Sequence, residues 1–564
     1  MGYLENYNFW KNSELPEDVR NELESISGDT EELKSRFGSE LQFGTAGMRG
    51  IMGVGSNRLN RYTVRRAAQG MAAWLSSTDL PQKAAIGYDS RHNSRNFAQV
   101  CAVAFAERGI TAYLFDRLAP TPMLSYAVRA LECGCGIVIS ASHNSGEYNG
   151  VKCYGPDGCQ MTDEPAAVVT EEISKIPYFV PQKKMFDSFL KEGLIRYIGQ
   201  DLWEGYYQAV LGEAINAENI RRAGLNIVYT PLCGTGNEPV REILGRLGAN
   251  VTVVRCQEQP DGDFKTCEYP NPETDAALNE SYKVADSVDC DVILGTDPDC
   301  DRIAIAIPEN GRYRKLSGNE LGCLLMDYVL KTRYQRNNLP ESGIVVRSIV
   351  SSPLADRIAE HYGVTMKRVL TGFKYIGGEI LALEKLGYEK RFIFGYEESC
   401  GYLKGTYARD KDAVVAAMLV SELAATLKLE GKNILDALNE LYETYGIYLA
   451  CVQSVELTGA DAMEKAAKLM SNLRTAIPES VGGVKVTSVR DYRSSLETDL
   501  VTGEKTKIPL PTSNVLEYIL GSSGSVIVRP SGTEPKVKYY YTAIGATRQD
   551  AEKMLNDMMD QMSK

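Results

Sequence analysis

Three aspartates at alternate positions, Asp297-Pro298-Asp299-Cys300-Asp301-Arg302, lie between the apolar run 292–294 and the alternating run 303–307. Carboxylates spaced this way in a turn can converge on one hard cation, and an all-oxygen donor set favours Mg²⁺, Mn²⁺ or Ca²⁺. The rival reading is a solvated acidic turn. Three like charges pressed against two apolar strands repel one another unless a cation neutralises them, which favours metal binding. A calcium EF-hand loop needs Gly at its sixth position and Glu at its twelfth. Arg302 and Pro308 stand there instead, so that motif is excluded. Three carboxylates outweigh one divalent charge, and an anionic ligand would widen the excess; Arg302 beside them is an apt counter-charge.

Other polar strings could complete a site. Ser140-Ala141-Ser142-His143-Asn144-Ser145 follows the apolar run 136–139, and a serine at the carboxyl end of a strand can be a nucleophile. No Gly-x-Ser-x-Gly elbow is present, so the hydrolase reading fails; taken alone, Ser-His-Asn is more often a polar turn. Asn149-Gly150-Val151-Lys152 offers a lysine for proton transfer, a role that needs a depressed pKa. Arg529-Pro530-Ser531-Gly532-Thr533-Glu534-Pro535-Lys536 combines an arginine, hydroxyls and backbone N–H groups freed by glycine. Such a string suits a phosphate cradle, against the commoner reading of a surface turn. In Gly395-Tyr396-Glu397-Glu398-Ser399-Cys400-Gly401 the carboxylates could accept hydrogen bonds from sugar hydroxyls; the rival is a helix N-terminus, where acidic residues are favoured. Asp410-Lys411-Asp412 opens a helix and supplies a cation, and Thr371-Gly372-Phe373-Lys374 is a similar basic loop. Together these imply an enzyme with a divalent cation, a serine, a phosphate cradle and a sugar-sized polar loop.

The elements that must position them follow one grammar. Short apolar runs (84–87, 112–115, 136–139, 225–229, 343–347) alternate with helical patterns such as 63–75 and 98–108. This alternation predicts βαβ units and mostly parallel sheets, whose ligand loops lie at the carboxyl ends of strands. The polar strings occupy those places. Residues 16–37 show helical periodicity. After about 450, strand patterns at 452–457, 484–489, 525–529 and 536–542 mix with two helices and read as α+β. In the last helix Met554, Leu555, Met558, Met559 and Met562 form one stripe, a core or domain-docking face.

A length of 564 residues gives about four domains as a prior. Polar stretches near 201–205, 309–319 and 446–448 are candidate boundaries, giving domains 1–205, 206–315, 316–448 and 449–564. The expected fold is three consecutive α/β domains with mixed, mostly parallel sheets plus a C-terminal α+β domain, arranged around a central cleft. Lys+Arg number 62 and Asp+Glu 74, a net charge of −12, which argues against a broad nucleic-acid or anionic-membrane surface. Thirteen scattered cysteines suggest reduced thiols in a cytoplasm, and three histidines make a zinc site a poor fit. The opening MGYLENYNFWKN has no basic region or long apolar run, so no secretory signal is expected, and Asn6 spoils a myristoylation pattern. The apolar run near 413–420 is too short to span a bilayer.

In order along the chain, these motifs resemble those of the α-D-phosphohexomutase superfamily. Asp297–Arg302 is similar to its DPDxDR loop, 140–145 to its TASHNP phosphoserine loop, 395–401 to its GEES-type sugar loop, and 529–535 to its RPSGTEP phosphate loop. Pro260-Asp261-Gly262-Asp263-Phe264 with Pro270-Asn271-Pro272-Glu273 matches a further characteristic segment. The spelling looks most like the branch of bacterial phosphoglucomutases and eukaryotic phosphopentomutases. The resemblance implies a phosphorylated Ser142 joining Asp297, Asp299 and Asp301 on one Mg²⁺. The phosphoryl group passes to a sugar phosphate, giving a bisphosphate that turns around and returns its other phosphate. On this pattern Arg49 and Arg302 neutralise charge, and His143 and Lys152 are the proton-transfer candidates, with Lys152 preferred. Gly372, Lys374, Glu397 and Ser399 would bind the sugar end. Arg529, Ser531, Gly532 and Thr533 would hold the non-reacting phosphate, helped by Lys411. The last domain would act as a lid that excludes water. The implied reaction exchanges phosphate between O1 and O6 of glucose phosphate, with a sugar bisphosphate as activator. Phosphopentomutase, phosphomannomutase, bisphosphate synthase and a non-catalytic sugar-phosphate binder are the alternatives. A monomer or weak dimer in the cytoplasm is expected, without nucleic-acid or membrane partners. Several positions depart from the pattern: Ser140 and Ser145 replace Thr and Pro, and freeing φ at Ser145 would loosen the loop. Cys300 stands at a usual Gly or Ala, and Lys265 at a usual Pro in a segment of unexplained role.

Overall fold

The computed structural model describes residues 2–44, 47–457, 462–531 and 536–563. Its contacts divide the chain into two compact units, one holding residues 1–317, 376–392 and 399–431, the other 318–375, 393–398 and 432–564.

The first unit contains two sheets. One is built from β1 (Gly47–Ile51), β2 (Lys83–Tyr88), β3 (Thr111–Phe115), β4 (Cys135–Ile139), β5 (Tyr148–Tyr154) and β6 (Ile195–Ile198), in the order β1-β5-β4-β2-β3-β6. β2 is parallel to β3 and β4, and β3 to β6, whereas β5 runs antiparallel to both β4 and β1. Every residue of β4 is buried, as expected of a strand covered on both faces. Helices Arg61–Ser76 and Ser94–Ala106 pack Met71, Ala102 and Phe105 into the same core as Ile86, Ile137 and Ile139. The second sheet comprises β7 (Asn226–Thr230), β8 (Asn250–Val253), β9 (Val292–Thr296), β10 (Ile303–Glu309) and β11 (Arg312–Lys315), in the order β11-β10-β9-β7-β8. β7 is parallel to β8 and β9, and β9-β10-β11 is an antiparallel meander.

Helical periodicity over 16–37 is borne out in finer detail, and two readings of domain limits differ from the structure. The stretch 16–37 is two helices, Glu17–Ser25 and Thr30–Phe37, preceded by a third, Tyr3–Lys11. Asp29 accepts hydrogen bonds from the N–H groups of Glu31 and Glu32, so it caps a new helix. Tyr7, Trp10, Leu23 and Phe37 form a small core among these helices. The polar stretch 201–205, read as a boundary, lies inside helix Gln200–Gly212. Its Trp203 is fully buried, edge-on to Phe115, with the Arg117 guanidinium 3.9 Å from its ring centre; the polar residues flank a buried stripe and do not interrupt it. Residues 399–431 cluster with the first unit although the sequence reading places them in 316–448. The reason is the buried helix Ala413–Leu429, whose Glu422 accepts from Ile215 N–H at 2.9 Å and 3.1 Å, while Tyr206 donates to Asp412 at 2.8 Å. No helix among the described residues is long and apolar enough to cross a membrane, and all thirteen cysteines are free of disulfides.

A carboxylate bridge ties separate segments of this unit. Glu384 accepts from Arg129 Nη2 and from Arg409 Nη2, each at 2.9 Å. Those donors, led by Arg129, bring its pKa from 4.5 to about 2 against the opposing effect of partial burial. A depressed carboxylate pKa contributes stability above its unfolded value, lost as pH falls through the folded one. Because Glu384 is about one-third exposed, its contribution is discounted to about 1–2 kcal/mol. Glu384→Gln should therefore lower the urea midpoint at pH 7, and the gap from the natural protein should close between pH 4.5 and 2; a gap that persists at pH 2 would contradict the bridge.

In the second unit, Ile344–Ser348 and Thr365–Val369 pair in parallel, preceded by the largely buried helix Gly318–Gln335. A seven-stranded sheet follows in the order Ile447–Glu456, Lys536–Gly545, Gly524–Pro530, Leu516–Ile519, Ser488–Asp491, Leu496–Asp499, Lys505–Lys507, antiparallel throughout. Met558 is buried in its core, with Met554, Leu555, Met559 and Met562 packed against it, so the methionine stripe is a core face. Ile349, Val350 and Leu370 form one cluster with Tyr492, Ile508, Val515, Ile527 and Tyr540. The domain read as a lid is thus seated on the loops of the preceding domain.

Candidate active site

The serine turn leaves β4 at its carboxyl end. Ser142 adopts φ 53°, a left-handed conformation that costs a non-glycine residue about 1–3 kcal/mol. Its N–H donates to Ser140 Oγ at 2.8 Å, which uses the hydroxyl that Ser140 retains. Ser142 Oγ donates to Asp297 Oδ2 at 2.7 Å and lies 3.1 Å from His143 Nδ1. Burial, then the charges of Arg302 and Arg49, hold the His143 pKa well below the ordinary histidine value, so the imidazole beside the serine is neutral. Arg49, on β1, donates to Asn144 Oδ1 at 2.8 Å. Ser145 does not loosen the loop: it is buried, its carbonyl accepting from Arg91 at 2.7 Å and from Tyr148 N–H at 3.1 Å.

The three aspartates occupy the tight connection of the β9–β10 hairpin, where Thr296 faces Ile303. Cys300 takes φ 54° at the corner, which explains why a glycine suits that position. Asp297 Oδ1 accepts the N–H groups of Asp301 and Arg302, both at 3.0 Å. Asp299 Oδ2 accepts from Thr121 Oγ1 at 2.8 Å and from Lys152 Nζ. Asp301 Oδ2 accepts from Lys152 Nζ at 2.9 Å and faces Lys411 Nζ at 3.2 Å. Asp299 Oδ1 and Asp301 Oδ1 are buried without a hydrogen-bond partner. One oxygen from each aspartate lies within 4.8 Å of the others, a group that could hold a metal ion. Unpartnered hard oxygens in a buried anionic turn fit a divalent cation such as Mg²⁺. Burial opposes ionisation of all three. At Asp297, Asp299 and Asp301 add repulsion and the pKa rises well above the carboxylate range. Lys152 reverses the balance at Asp299, and Lys152 with Lys411 does so at Asp301; both fall below it.

Lys152 departs from expectation. It lies on β5 opposite Val138, where burial pulls its pKa down but Asp299 and Asp301 together outweigh burial and leave it raised. A proton acceptor needs the reverse, whereas His143 beside the serine is neutral. Arg302 donates to Glu273 Oε1 at 2.7 Å, so the segment 270–273 holds that counter-charge in place. Lys411 lies against Asp301 and, at 3.0 Å, Asp410. Thr121 was missing from the sequence reading; its signal is Thr-Pro at the start of helix Thr121–Ala130.

In the second unit, Glu397 ends strand Phe392–Glu397 and accepts from Gly372 N–H at 2.7 Å. Gly372 has φ 122°, which requires glycine. Lys374 Nζ lies 5.1 Å from the Tyr375 ring centre, and Ser348 Oγ donates to Glu398 Oε2 at 3.0 Å. Burial raises the Tyr540 phenol above its ordinary value, with Glu398 and Glu397 adding to the rise and Arg529 opposing it. The sugar loop and the phosphate arginine thus act on one tyrosine, a residue the sequence reading did not single out. Ser531 N–H donates to Lys536 O at 2.8 Å, while Gly532 and Thr533 lie outside the described residues. Ser399 is half-buried and belongs to the first unit.

Four family models match in order. Phosphoglucomutase/phosphomannomutase alpha/beta/alpha domains I, II and III match residues 40–178, 204–311 and 317–445, and the C-terminal domain of the same family matches 481–561. A phosphoglucomutase of Staphylococcus epidermidis is 37% identical over 513 residues, covering 91% of this chain and 92% of that protein. The open form of pp63/parafusin, a phosphoglucomutase from Paramecium, has a TM-score of 0.68 at 16% identity, over 93% of this chain and 94% of its own. The N-acetylphosphoglucosamine mutase of Aspergillus fumigatus, solved with GlcNAc-6P and magnesium, has a TM-score of 0.50 at 15% identity, over 97% and 99%. With its motifs in family order, four family models matched in succession and 91% of its length aligned with a phosphoglucomutase, this chain belongs to the phosphoglucomutase/phosphomannomutase family of the α-D-phosphohexomutase superfamily.

Proposed function

We propose that the chain is a phosphoglucomutase, an intramolecular phosphotransferase exchanging phosphate between O1 and O6 of glucose phosphate through phosphorylated Ser142 and glucose 1,6-bisphosphate. The observation that carries this reading is Ser142 Oγ hydrogen-bonded to Asp297 in a buried aspartate turn; the relatives named phosphoglucomutase support it. Asp297, Asp299 and Asp301, with an oxygen on Ser142, would hold Mg²⁺, which when bound supplies neutralisation of phosphoryl charge. Phosphoryl transfer needs little else beyond alignment and charge compensation. When unphosphorylated Ser142 attacks the bisphosphate, its O–P bond forms as the sugar O–P bond breaks. His143 Nδ1, neutral and 3.1 Å away, is placed to take the serine proton once the hydroxyl turns from Asp297 Oδ2, to which it otherwise donates, and the released sugar oxygen takes up a proton. Lys152 and Lys411 hold Asp299 and Asp301 ionised, and Arg302 and Arg49 add positive charge near His143. Gly372, Lys374, Glu397 and Ser399 would bind the sugar, and Arg529, Ser531, Gly532 and Thr533 its other phosphate. A sugar bisphosphate activator, a monomer or weak dimer, and a cytoplasmic setting without nucleic-acid or membrane partners belong to the same proposal.

The test is a panel of sugar 1-phosphates assayed with glucose 1,6-bisphosphate. Glucose 1-phosphate should exceed mannose and ribose 1-phosphates by about tenfold or more in kcat/KM, and mass spectrometry of the purified protein should find phosphate on Ser142. A preference for the pentose would overturn the substrate assignment.

A further inference from the structure

Arg91 follows β2 in a loop and its side chain is wholly buried. Its guanidinium donates to four backbone carbonyls of the serine loop: Ser142 at 2.7 Å, Ser145 at 2.7 Å, Tyr148 at 3.0 Å, and Asn144. Asp89 accepts the Arg91 N–H at 3.0 Å and faces its Nε at 3.3 Å. Below the guanidinium lies the ring of Phe264, 5.0 Å away, at φ 49° in the segment whose role the sequence left unexplained. That segment lies directly on the serine loop and on the loop of Arg91. Asp263 Oδ1 is 2.6 Å from His92 Nε2, and a Cβ on Gly262 would come within 2.7 Å of His92 N. A Cβ on Gly146 would come within 2.7 Å of Gly262 O.

A left-handed serine persists only where its surroundings over-determine it. Four carbonyls of an irregular loop converging on one planar, five-donor cation supply that constraint, and an ammonium point charge could not match the geometry. The aromatic face beneath fixes the plane of the cation. We propose that Arg91 is a positioning residue for Ser142, and that the turn 261–264 seats Arg91 through Phe264, so that this segment acts on the nucleophile through the arginine.

The proposal rests on Ser142 being the phosphoryl carrier. The experiment compares Arg91→Lys, Phe264→Leu and Ser142→Ala in the full-length enzyme with Mg²⁺. It reads kcat for glucose 1-phosphate per site that takes up radiolabelled phosphate from glucose 1,6-bisphosphate, so that unfolded protein is not counted. A misplaced reacting atom costs about 100-fold. Arg91→Lys should lose on that order in kcat per site, and Phe264→Leu about tenfold, both with KM within about twofold of the natural enzyme. Wild-type kcat per site in both variants would overturn the proposal. A slow Arg91→Lys beside a wild-type Phe264→Leu would keep the arginine and overturn the role of the turn. Should Arg91→Lys fail to fold, Phe264→Leu decides alone. A fully active Ser142→Ala would instead overturn the phosphoserine reading, whereas a dead Ser142→Ala beside a wild-type Arg91→Lys overturns only the positioning role.

Discussion

Replacing Ser142 by alanine will reduce turnover of glucose 1-phosphate by about 10⁴-fold or more, the scale of losing a covalent nucleophile, while the protein still folds. The structure separates these effects. Ser142 contributes one hydroxyl, donating to Asp297 Oδ2 at 2.7 Å and lying beside His143. Alanine bears the same left-handed strain as serine, so the turn is not strained further. Asp297 loses a donor but keeps the N–H groups of Asp301 and Arg302, and its raised pKa lets it take up a proton. The stability cost should therefore stay near 1–2 kcal/mol, that of one lost buried hydrogen bond. Steady-state kinetics and thermal melting on the same preparation check both halves. Residual activity above about 1% of the natural enzyme would exclude a serine carrier, since the non-covalent remainder of such sites is far smaller.

The residues legible in the sequence were those whose chemistry is contiguous. Asp297, Asp299 and Asp301 declare themselves within one turn, and Ser142 within another, because a strand end followed by a polar string is local information. The pairing of the two turns is not: Ser142 meets Asp297 across 155 positions, and Thr121 meets Asp299 across 178. Such meetings arise where the β4 end of one sheet packs against the β9–β10 hairpin of another, and no local pattern encodes that packing. Arg91 follows the apolar run 84–87, but its use depends on carbonyls that no side-chain pattern encodes. Lys152 shows the same limit in energetic form. Its residue type suggested a proton acceptor, whereas its pKa is decided by two aspartates from a distant hairpin. The fold class was more accessible, since alternating apolar runs and helical patterns are local too. Helix Gln200–Gly212 was missed because its buried Trp203 lies among polar neighbours that resemble a linker.

Asparagine at Asp297 and at Asp301 will change the stability of the chelated protein in opposite directions while impairing the same reaction. The folded pKa of Asp297 lies above its ordinary 3.8 because burial and its two carboxylate neighbours disfavour the anion. The unfolded chain has then released a proton the folded one still favours, so this group lowers stability as pH rises above 3.8. Asp297→Asn removes that penalty, and its amide oxygen can still accept the N–H groups of Asp301 and Arg302. A gain of about 1–2 kcal/mol is expected at pH 7, shrinking as pH falls towards 3. Asp301 has the opposite sign. Lys152, Lys411 and Arg302 hold its pKa below 3.8, so its contribution is present above that pH and lost below it. Asp301→Asn leaves Lys152 with Asp299 alone and weakens the pairing of Lys411, for a loss of about 3 kcal/mol at neutral pH. Each variant also withdraws one anionic oxygen from the proposed cation site, so each should lose about 10²–10³-fold in Mg²⁺-supported kcat/KM. Urea unfolding in EDTA at pH 7 and pH 3, beside a Mg²⁺ titration of activity, reads both quantities. A stabilised Asp297→Asn with wild-type Mg²⁺ dependence would remove Asp297 from the metal site. Equal losses of stability in both variants would instead show that burial and like-charge repulsion do not govern Asp297, because those two effects make it costly to keep while the cations facing Asp301 make that one costly to remove.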